Sequence, residues 1–144
     1  MAKVAVSEKL DAPADAVWEI VGGYHCLPSW HPAVAKSEAI EDGNDIIRDL
    51  ELHDGGHVIE RLDEFSNSRR TYTYAITGGV MPVENYTATL SVYEDENGAG
   101  SVIHWTAEFD ATGDEAETVD LIANDVFRRG FQAVAELLAA DGDA

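Results

Sequence analysis

The sequence predicts an α+β fold in which a curved antiparallel sheet of seven strands closes around one long C-terminal helix. Two observations support this prediction. Turn residues recur at short intervals through the middle of the 144-residue chain, as is typical of consecutive antiparallel hairpins. The C-terminal region instead repeats apolar side chains at helical spacing. A sheet and a helix that each have one apolar face bury those faces against each other.

The N-terminal region predicts a strand followed by two short helical elements. Residues 3–11 alternate apolar and polar side chains, which indicates a strand. Pro13 suits the first turn of a helix, because its missing N–H group would have no partner there, and Gly22 and Gly23 end that helix. Residues 24–33 are aromatic and interrupted by proline, so we expect a second, very short helix or a tight loop.

The middle of the chain predicts a meander of strands. Clusters of Gly, Asn, Asp and Ser separate its apolar segments, and these residues accept the backbone conformations that tight turns require. We therefore expect six strands, near residues 34–41, 45–53, 57–65, 69–77, 83–95 and 101–111.

The C-terminal region predicts a helix from about residue 115 to 140. Asp114 can cap it, and Glu117 follows at the spacing of a capping box. Gly130 falls within the apolar stripe. Since glycine costs a helix about 1 kcal/mol relative to alanine, we expect it there for close packing or to leave space. The apolar stripe consists of Val119, Ile122, Val126, Val134 and Leu137, widened by Phe127, Phe131 and Leu138.

The amino-acid composition excludes several classes of protein and of binding partner. With 9 Lys+Arg against 28 Asp+Glu, the formal net charge is −19, which argues against partners such as nucleic acid and anionic membrane surfaces. The hydrophobic share of 45% excludes a disordered chain, and the length fits a single domain over residues 1–144. Apolar runs are too short for membrane insertion. Cys26 is the only cysteine, so we expect no internal disulfide and a cytoplasmic location; a homodimer is compatible with the sequence.

The predicted hairpin around Asp54-Gly55-Gly56 places two opposite charges on an otherwise apolar face. A three-residue loop pairs Leu50 with Glu60 and makes Arg48 a diagonal neighbour of that glutamate. A buried charge needs a partner, because burying it alone costs several kcal/mol. Two interpretations stay open: a structural ion pair near the rim, or a polar anchor inside a ligand cavity.

The later strands each present an aromatic, apolar face. These residues either fill a solid core or line a cavity toward which their polar atoms point. The three faces comprise Tyr72, Tyr74 and Ile76; Tyr86, Ala88, Leu90 and Val92; and Ile103, Trp105, Ala107 and Phe109.

The sequence contains no recognisable motif for metal binding, cofactor binding or nucleophilic catalysis. The histidines lack the spacing of a zinc site, and no dinucleotide or phosphate loop is present, so we expect neither a metal nor a cofactor. Cys26 fits a small buried hydrophobe. Acid–base chemistry stays open if polar side chains converge on one pocket. The candidates for that convergence are His31, Arg48, Glu60, Tyr74 and Tyr86.

Several segments together resemble the polyketide cyclase/dehydrase-type branch of the START/Bet v 1-like superfamily over about residues 3 to 139. The Ala-Pro-x-x-x-Val-Trp opening points to the superfamily and the Pro-Val-Glu-Asn-Tyr and Trp-x-x-x-Phe segments to the branch. The matching segments are residues 10–18, 27–32, 60–62, 72–74 and 82–86, with Arg48, Trp105 and Phe109.

This resemblance implies the helix-grip fold, in which a curved seven-stranded sheet grips the C-terminal helix around a hydrophobic cavity. Members bind lipids, sterols, polyketides, hormones or other apolar molecules; some are aromatase/cyclases and others co-chaperones or carriers, so the fold does not settle the function.

We carry three hypotheses for the function. The first is binding of a small hydrophobic or aromatic molecule between sheet and helix. The second is a cyclase or dehydratase in which Glu60, Tyr74 or His31 moves protons. The third is an interaction protein of the co-chaperone kind. The candidate ligand-binding residues are Trp30, His31, Arg48, Glu60, Tyr72, Tyr74, Met81, Tyr86, Trp105, Phe127 and Phe131.

Overall fold

The predicted α+β architecture is confirmed. The computed structural model describes residues 1–142, and its elements follow the predicted order. The strands are β1 (Ala2–Leu10), β2 (Val34–Asp42), β3 (Asp45–Leu52), β4 (His57–Ser66), β5 (Thr71–Gly79), β6 (Val83–Glu94) and β7 (Ser101–Ala111). The helices are α1 (Ala14–Val21), a 3-10 helix (Tyr24–Ser29), α2 (Glu115–Asp120), a π-helical segment (Leu121–Arg128) and α3 (Arg129–Gly142).

The seven strands form one antiparallel sheet in the order β1-β7-β6-β5-β4-β3-β2. The N-terminal strand therefore reaches across to pair with the last strand, while the other strands form successive hairpins. The predicted apolar faces of β5, β6 and β7 are all turned inward, where Tyr74, Leu90 and Trp105 are buried. α2, the π-helical segment and α3 run as one continuous C-terminal helix that covers this inner face.

The start of the C-terminal helix is the predicted one. Asp114 has extended backbone angles, and its side chain accepts a hydrogen bond from the backbone N–H of Glu117 at 2.9 Å. This satisfies one of the amide groups that have no partner within the first turn of a helix.

The middle of the C-terminal helix departs from the prediction of a regular α-helix. Leu121–Arg128 is π-helical, and the backbone N–H of Arg129 reaches back to the carbonyls of Asn124 and Val126. The prediction assumed α-helical spacing throughout, and the apolar spacing of an eight-residue segment does not distinguish the two helical forms. π-Helical turns are frequent at functional sites.

The hairpin of β3 and β4 corrects the predicted register. Arg48 pairs directly with Glu60, and Leu50 pairs with Val58, whereas the sequence analysis expected Leu50 opposite Glu60. The connection runs through Asp54, with the N–H of Leu52 bonded to the carbonyl of Gly56. Because the error is an even number of residues, every side chain stays on its predicted face.

Two smaller expectations are also resolved. Cys26 is exposed on the 3-10 helix, so the interpretation as a buried hydrophobe is wrong. Its neighbours Tyr24 and Leu27 take the inward positions of that short helix instead. Within residues 1–142, no helix combines the length and the apolar character needed to cross a bilayer.

Candidate ligand cavity

A cavity of about 270 Å³ separates the inner face of the sheet from the C-terminal helix. It is bounded by strands β2 to β7 on one side and by the π-helical segment on the other. Most of its lining is aliphatic or aromatic, with a few polar side chains among them. The lining residues are Leu27, His31, Ala33, Val34, Arg48, Leu50, Leu52, Val58, Glu60, Tyr74, Ile76, Met81, Tyr86, Trp105, Leu121, Asp125, Val126 and Arg129.

The polar part of the cavity wall is the ion pair of Arg48 and Glu60. Arg48 is fully buried and Glu60 is 5% exposed. The Arg48 Nε donates to Glu60 Oε1 at 2.7 Å, and the Nη2 atom lies 2.6 Å from the same oxygen. The pair is therefore buried inside the molecule and borders the cavity, and it does not lie at an exposed rim.

Further contacts hold the Arg48 guanidinium in place. Its Nη1 donates to the backbone carbonyl of Tyr24 at 2.5 Å. The guanidinium carbon lies 4.0 Å from the centre of the Tyr24 ring, 5.0 Å from that of Tyr74 and 5.8 Å from that of Tyr72. Cations are attracted to the faces of such rings, so these contacts help compensate for the lost hydration of the arginine.

Burial and mutual attraction set the ionisation of this group of residues. Burial raises the pKa of the Glu60 carboxyl above its usual value, and the adjacent Arg48 works against that shift. Burial alone would lower the pKa of Arg48, but Glu60 raises it overall, so the arginine stays charged. Burial also raises the pKa of Tyr74 well above 10.0, which keeps its phenol protonated at neutral pH.

Trp105 connects the polar wall to the helix. Its Nε1 donates to the Tyr74 hydroxyl at 3.1 Å, and Tyr74 in turn lies within hydrogen-bonding reach of the Tyr86 hydroxyl. Its ring stacks on Phe127 with centroids 4.4 Å apart. Since Trp105 borders the cavity while Phe127 packs behind it, the stack fixes one side of the open space.

His31 joins the segment before β2 to the C-terminal helix. Its Nδ1 accepts from the backbone N–H of Ala33 at 3.2 Å, and Nε2 therefore carries the proton that is donated to the Val126 carbonyl at 2.7 Å. Burial lowers the pKa of His31, so the ring is neutral at pH 7. Because both ring nitrogens are engaged, His31 is placed to position the helix and not to exchange protons with a ligand.

The opening of the cavity lies between the β5–β6 loop and the π-helical segment. Met81 comes from the loop and is partly buried, while Asp125 and Arg129 come from the helix and are exposed. The cavity is thus mostly apolar, with exposed charged groups at its opening and the buried Arg48–Glu60 pair in its wall.

The structure brings together most of the residues that the sequence analysis selected. Seven of the candidate ligand-binding residues border the cavity: His31, Arg48, Glu60, Tyr74, Met81, Tyr86 and Trp105. The other four are buried in the packed core outside its lining: Trp30, Tyr72, Phe127 and Phe131. Of these, Trp30 and Phe131 pack against the Trp105 ring, with centroids 5.9 Å and 6.1 Å away.

Sequence reasoning missed the contribution of the π-helical segment to the lining. Leu121, Asp125 and Val126 border the cavity together with Arg129. Val126 belongs to the predicted apolar stripe, but the ligand-binding candidates chosen from this helix were Phe127 and Phe131. The available signal was the pair of charged residues Asp125 and Arg129, because a helix face that borders the opening of a cavity can carry charged side chains. The ligand-binding candidates also left out the aliphatic lining residues of the sheet and of the segment before β2. These are Leu27, Ala33, Val34, Leu50, Leu52, Val58 and Ile76.

Gly130 has a packing role. A β-carbon at this position would lie 3.0 Å from ring atoms of both His31 and Trp30 and 3.3 Å from the Trp105 ring. The glycine therefore allows the helix to approach the aromatic residues beside the cavity, and it does not create the open space itself.

Metal chemistry has no candidate centre in the part of the chain that the structure describes. Within residues 1–142, no three His, Cys, Asp or Glu side chains are grouped as they would be to hold a metal ion.

Comparison with known proteins identifies relatives across nearly the whole chain. A family model described as "Polyketide cyclase / dehydrase and lipid transport" matches residues 1–141. The abscisic acid receptor PYL1 of Arabidopsis thaliana is 24% identical over an alignment of 147 positions, gaps included, that covers 94% of this chain and 66% of that receptor. The chain thus spans just under two thirds of this relative's length.

Solved structures share the same fold. Protein XoxI from Bacillus cereus is 29% identical with a TM-score of 0.88, and the match covers 96% of each chain. A protein from Thermobifida fusca is 28% identical with a TM-score of 0.81, covering 97% of this chain and 95% of the other. A protein from Nitrosospira multiformis, at 21% identity and a TM-score of 0.83, is alike in fold alone and covers 99% of this chain and 100% of the other.

Proposed function

The chain belongs to the polyketide cyclase/dehydrase and lipid-transport family, and from that premise we propose that it binds one small, mostly apolar molecule in the cavity between sheet and helix. The observation that carries the proposal is an open, mostly apolar volume of about 270 Å³ whose wall includes the fully buried polar side chain of Arg48. A pocket of this kind is the usual form of a small-molecule site, because apolar walls supply affinity and a few polar atoms fix orientation.

The cavity volume restricts the ligand to a compact molecule. An engineered cavity of about 150 Å³ holds benzene, and drug-sized ligands occupy about 300–1,000 Å³. At about 270 Å³ the cavity suits a molecule of one or two rings, or a short branched chain, more than a long acyl chain.

Filling the cavity from its wall tests the proposal. Val58 is buried on β4 and borders the cavity, so Val58→Phe places a ring in the open space. Val102 lies on the outer side of β7 and is the matched control, Val102→Phe. The probe is 2-naphthol, and its dissociation constant is measured by equilibrium dialysis against each purified protein, after circular dichroism has established that all three are folded.

We expect 2-naphthol to bind the unaltered protein and the Val102→Phe variant equally, and Val58→Phe to weaken binding at least about tenfold. The reason is that a ring in the cavity removes most of the apolar contact available to the probe. Equal binding by all three folded proteins would place the probe elsewhere and contradict the proposal.

Catalysis by the same cavity is the second candidate function. It is favoured by one observation: a buried carboxyl, Glu60, borders the cavity near the protonated phenol of Tyr74, and burial raises the pKa of that carboxyl. Such a pair resembles the acid–base groups that enzymes place in low-dielectric sites. The enzyme would be of the cyclase or dehydratase type, with Glu60 or Tyr74 moving the proton.

Turnover separates the two candidates. A model poly-β-keto thioester is incubated with the unaltered protein and with Tyr74→Phe, and products are followed by mass spectrometry. An enzyme is expected to form a cyclised or dehydrated product faster than buffer alone and to lose that rate in the variant. A rate equal to that in buffer would contradict the catalytic function, and binding would be the one candidate function that remains.

A further inference from the structure

We propose that the ligand is electrically neutral and carries a hydroxyl or another hydrogen-bond donor that it presents to Glu60, so that Glu60 and not Arg48 selects the ligand. This inference rests on the proposed binding function and names the chemical class of its ligand. It runs against the simplest expectation for a buried arginine, which is that it binds a carboxylate or phosphate.

The guanidinium of Arg48 is enclosed by the protein. Its Nε donates to Glu60 Oε1 and its Nη1 donates to the Tyr24 carbonyl. Nη2 makes no hydrogen bond, but it is itself buried and lies 2.6 Å from the same Glu60 oxygen. One face of the guanidinium is covered by the Tyr24 ring at 4.0 Å. An anionic ligand would have to displace Glu60 from this arrangement, which would leave a carboxylate buried without a partner.

Glu60, in contrast, has accepting capacity left toward the cavity. A carboxylate offers two oxygens with about four acceptor positions, and the described contacts with Arg48 all fall on Oε1. Because Glu60 borders the cavity, a hydroxyl inside it can donate to the remaining oxygen.

The wider electrostatics also disfavour an anion. The ion pair contributes no net charge to the cavity, and the chain as a whole carries a formal charge of −19. Arg129 is the other arginine bordering the cavity, but it is exposed at the rim on the same helix as the exposed Asp125, where water screens its charge.

Three naphthalene probes of similar size test the inference at pH 7. 2-Naphthol is neutral and donates a hydrogen bond, 2-methoxynaphthalene is neutral but cannot donate, and 2-naphthoate is an anion, since phenols ionise near pH 10 and carboxylates near pH 4. Dissociation constants are measured by equilibrium dialysis. We expect 2-naphthol to bind about tenfold more tightly than 2-methoxynaphthalene, because its hydroxyl donates to a charged group. We expect 2-naphthoate to bind most weakly.

The Glu60→Gln variant should change this preference. It keeps the size of the side chain and removes its charge, so Arg48 is left as an uncompensated cation beside the cavity. We expect 2-naphthoate to bind the variant more tightly than it binds the unaltered protein, and 2-naphthol to bind it about tenfold more weakly. If this variant does not fold, the double variant Arg48→Met/Glu60→Met replaces the pair by apolar side chains. In it 2-naphthol should lose its advantage over 2-methoxynaphthalene.

The outcomes separate the inference from the function on which it rests. Binding of 2-naphthoate more tightly than 2-naphthol by the unaltered protein, or an unchanged 2-naphthol advantage in the double variant, overturns the inference and leaves a ligand-binding cavity. Failure of all three probes to bind the unaltered protein overturns both.

Discussion

The imidazole of His31 and the backbone carbonyl of Val126 form a 2.7 Å hydrogen bond that connects the segment before β2 with the π-helical part of the C-terminal helix. The two residues are far apart in sequence, and both border the cavity. This bond therefore connects the two walls of the cavity. The other ring nitrogen, Nδ1, accepts from the Ala33 N–H at 3.2 Å, and a proton on Nδ1 would remove that second bond.

We expect the stability of the protein to fall with pH in the mildly acidic range because of His31. Burial lowers the pKa of this ring below its ordinary value of 6.5, so the unfolded chain binds a proton more readily than the folded one. The contribution of the neutral ring is therefore fully present above pH 6.5 and decreases as the pH falls below it. His57 has the opposite tendency, because its bond to Asp49 raises its pKa.

The measurement is urea unfolding at several pH values between about 5 and 8 for the unaltered protein, for His31→Gln and for the exposed control His53→Gln. The unaltered protein and His53→Gln should share the decrease toward pH 5, and His31→Gln should show a flatter profile. Parallel profiles for all three proteins would show that His31 does not carry the effect.

We expect Gly130→Ala to destabilise the protein even though alanine favours helices. The added β-carbon would lie 3.0 Å from ring atoms of His31 and Trp30, and these buried rings have little room to move. Overpacking of a core costs about 1–3 kcal/mol, which exceeds the helix preference of about 1 kcal/mol. Gly113→Ala is the matched control, because a β-carbon there has nothing within 4 Å. A higher melting temperature for Gly130→Ala than for the unaltered protein would contradict this expectation.

The Arg48–Glu60 pair should be far more sensitive to the loss of one partner than to the loss of both. Glu60→Leu leaves a fully buried guanidinium without its carboxylate, and breaking a buried pair in this way costs about 3–5 kcal/mol. Arg48→Met/Glu60→Leu removes both charges, which is often neutral or stabilising. Urea denaturation should rank the double variant well above the single variant. Equal losses in the two would mean that packing and not charge makes these positions important.

We expect Asp114→Ala to reduce the stability by about 1 kcal/mol, the usual cost of losing a helix cap. The Asp114 carboxylate accepts the Glu117 N–H, so the variant leaves an amide at the start of the C-terminal helix without its partner. Asp11→Ala removes an exposed aspartate outside any helix and serves as the control. Guanidinium unfolding monitored at 222 nm measures both, and identical midpoints would argue against the cap.

Most of the fold was predictable because its signals are local. Alternation identified the inward faces of β5, β6 and β7, and Asp114 identified the start of the C-terminal helix. The predicted register between β3 and β4 was wrong by two residues, since it paired Leu50 with Glu60 where the structure pairs Arg48 with Glu60. The register depends on how the turn at Asp54 is hydrogen bonded, and the spacing of residues in the sequence does not reveal this.

The candidate site was predictable only in part. Residues such as Glu60 and Tyr74 stood out because they are polar groups on apolar faces, and they do border the cavity. Trp30 and Phe127 have the same inward-facing pattern, yet they pack in the solid core. No feature of the sequence separates the two cases, because buried residues look alike whether their neighbour is another side chain or an open space.

By itself, the amino-acid sequence determined the order of the elements, the family and the inward faces of β3 to β7, because the period of each element and its turn residues are visible in neighbouring positions. The tertiary structure decided where the sheet and the helix separate, which turn of the helix becomes π-helical, and that Arg48 is neutralised by Glu60 directly opposite it. These features depend on distances between segments far apart in the chain, such as His31 and Val126, and only the packed molecule sets those distances.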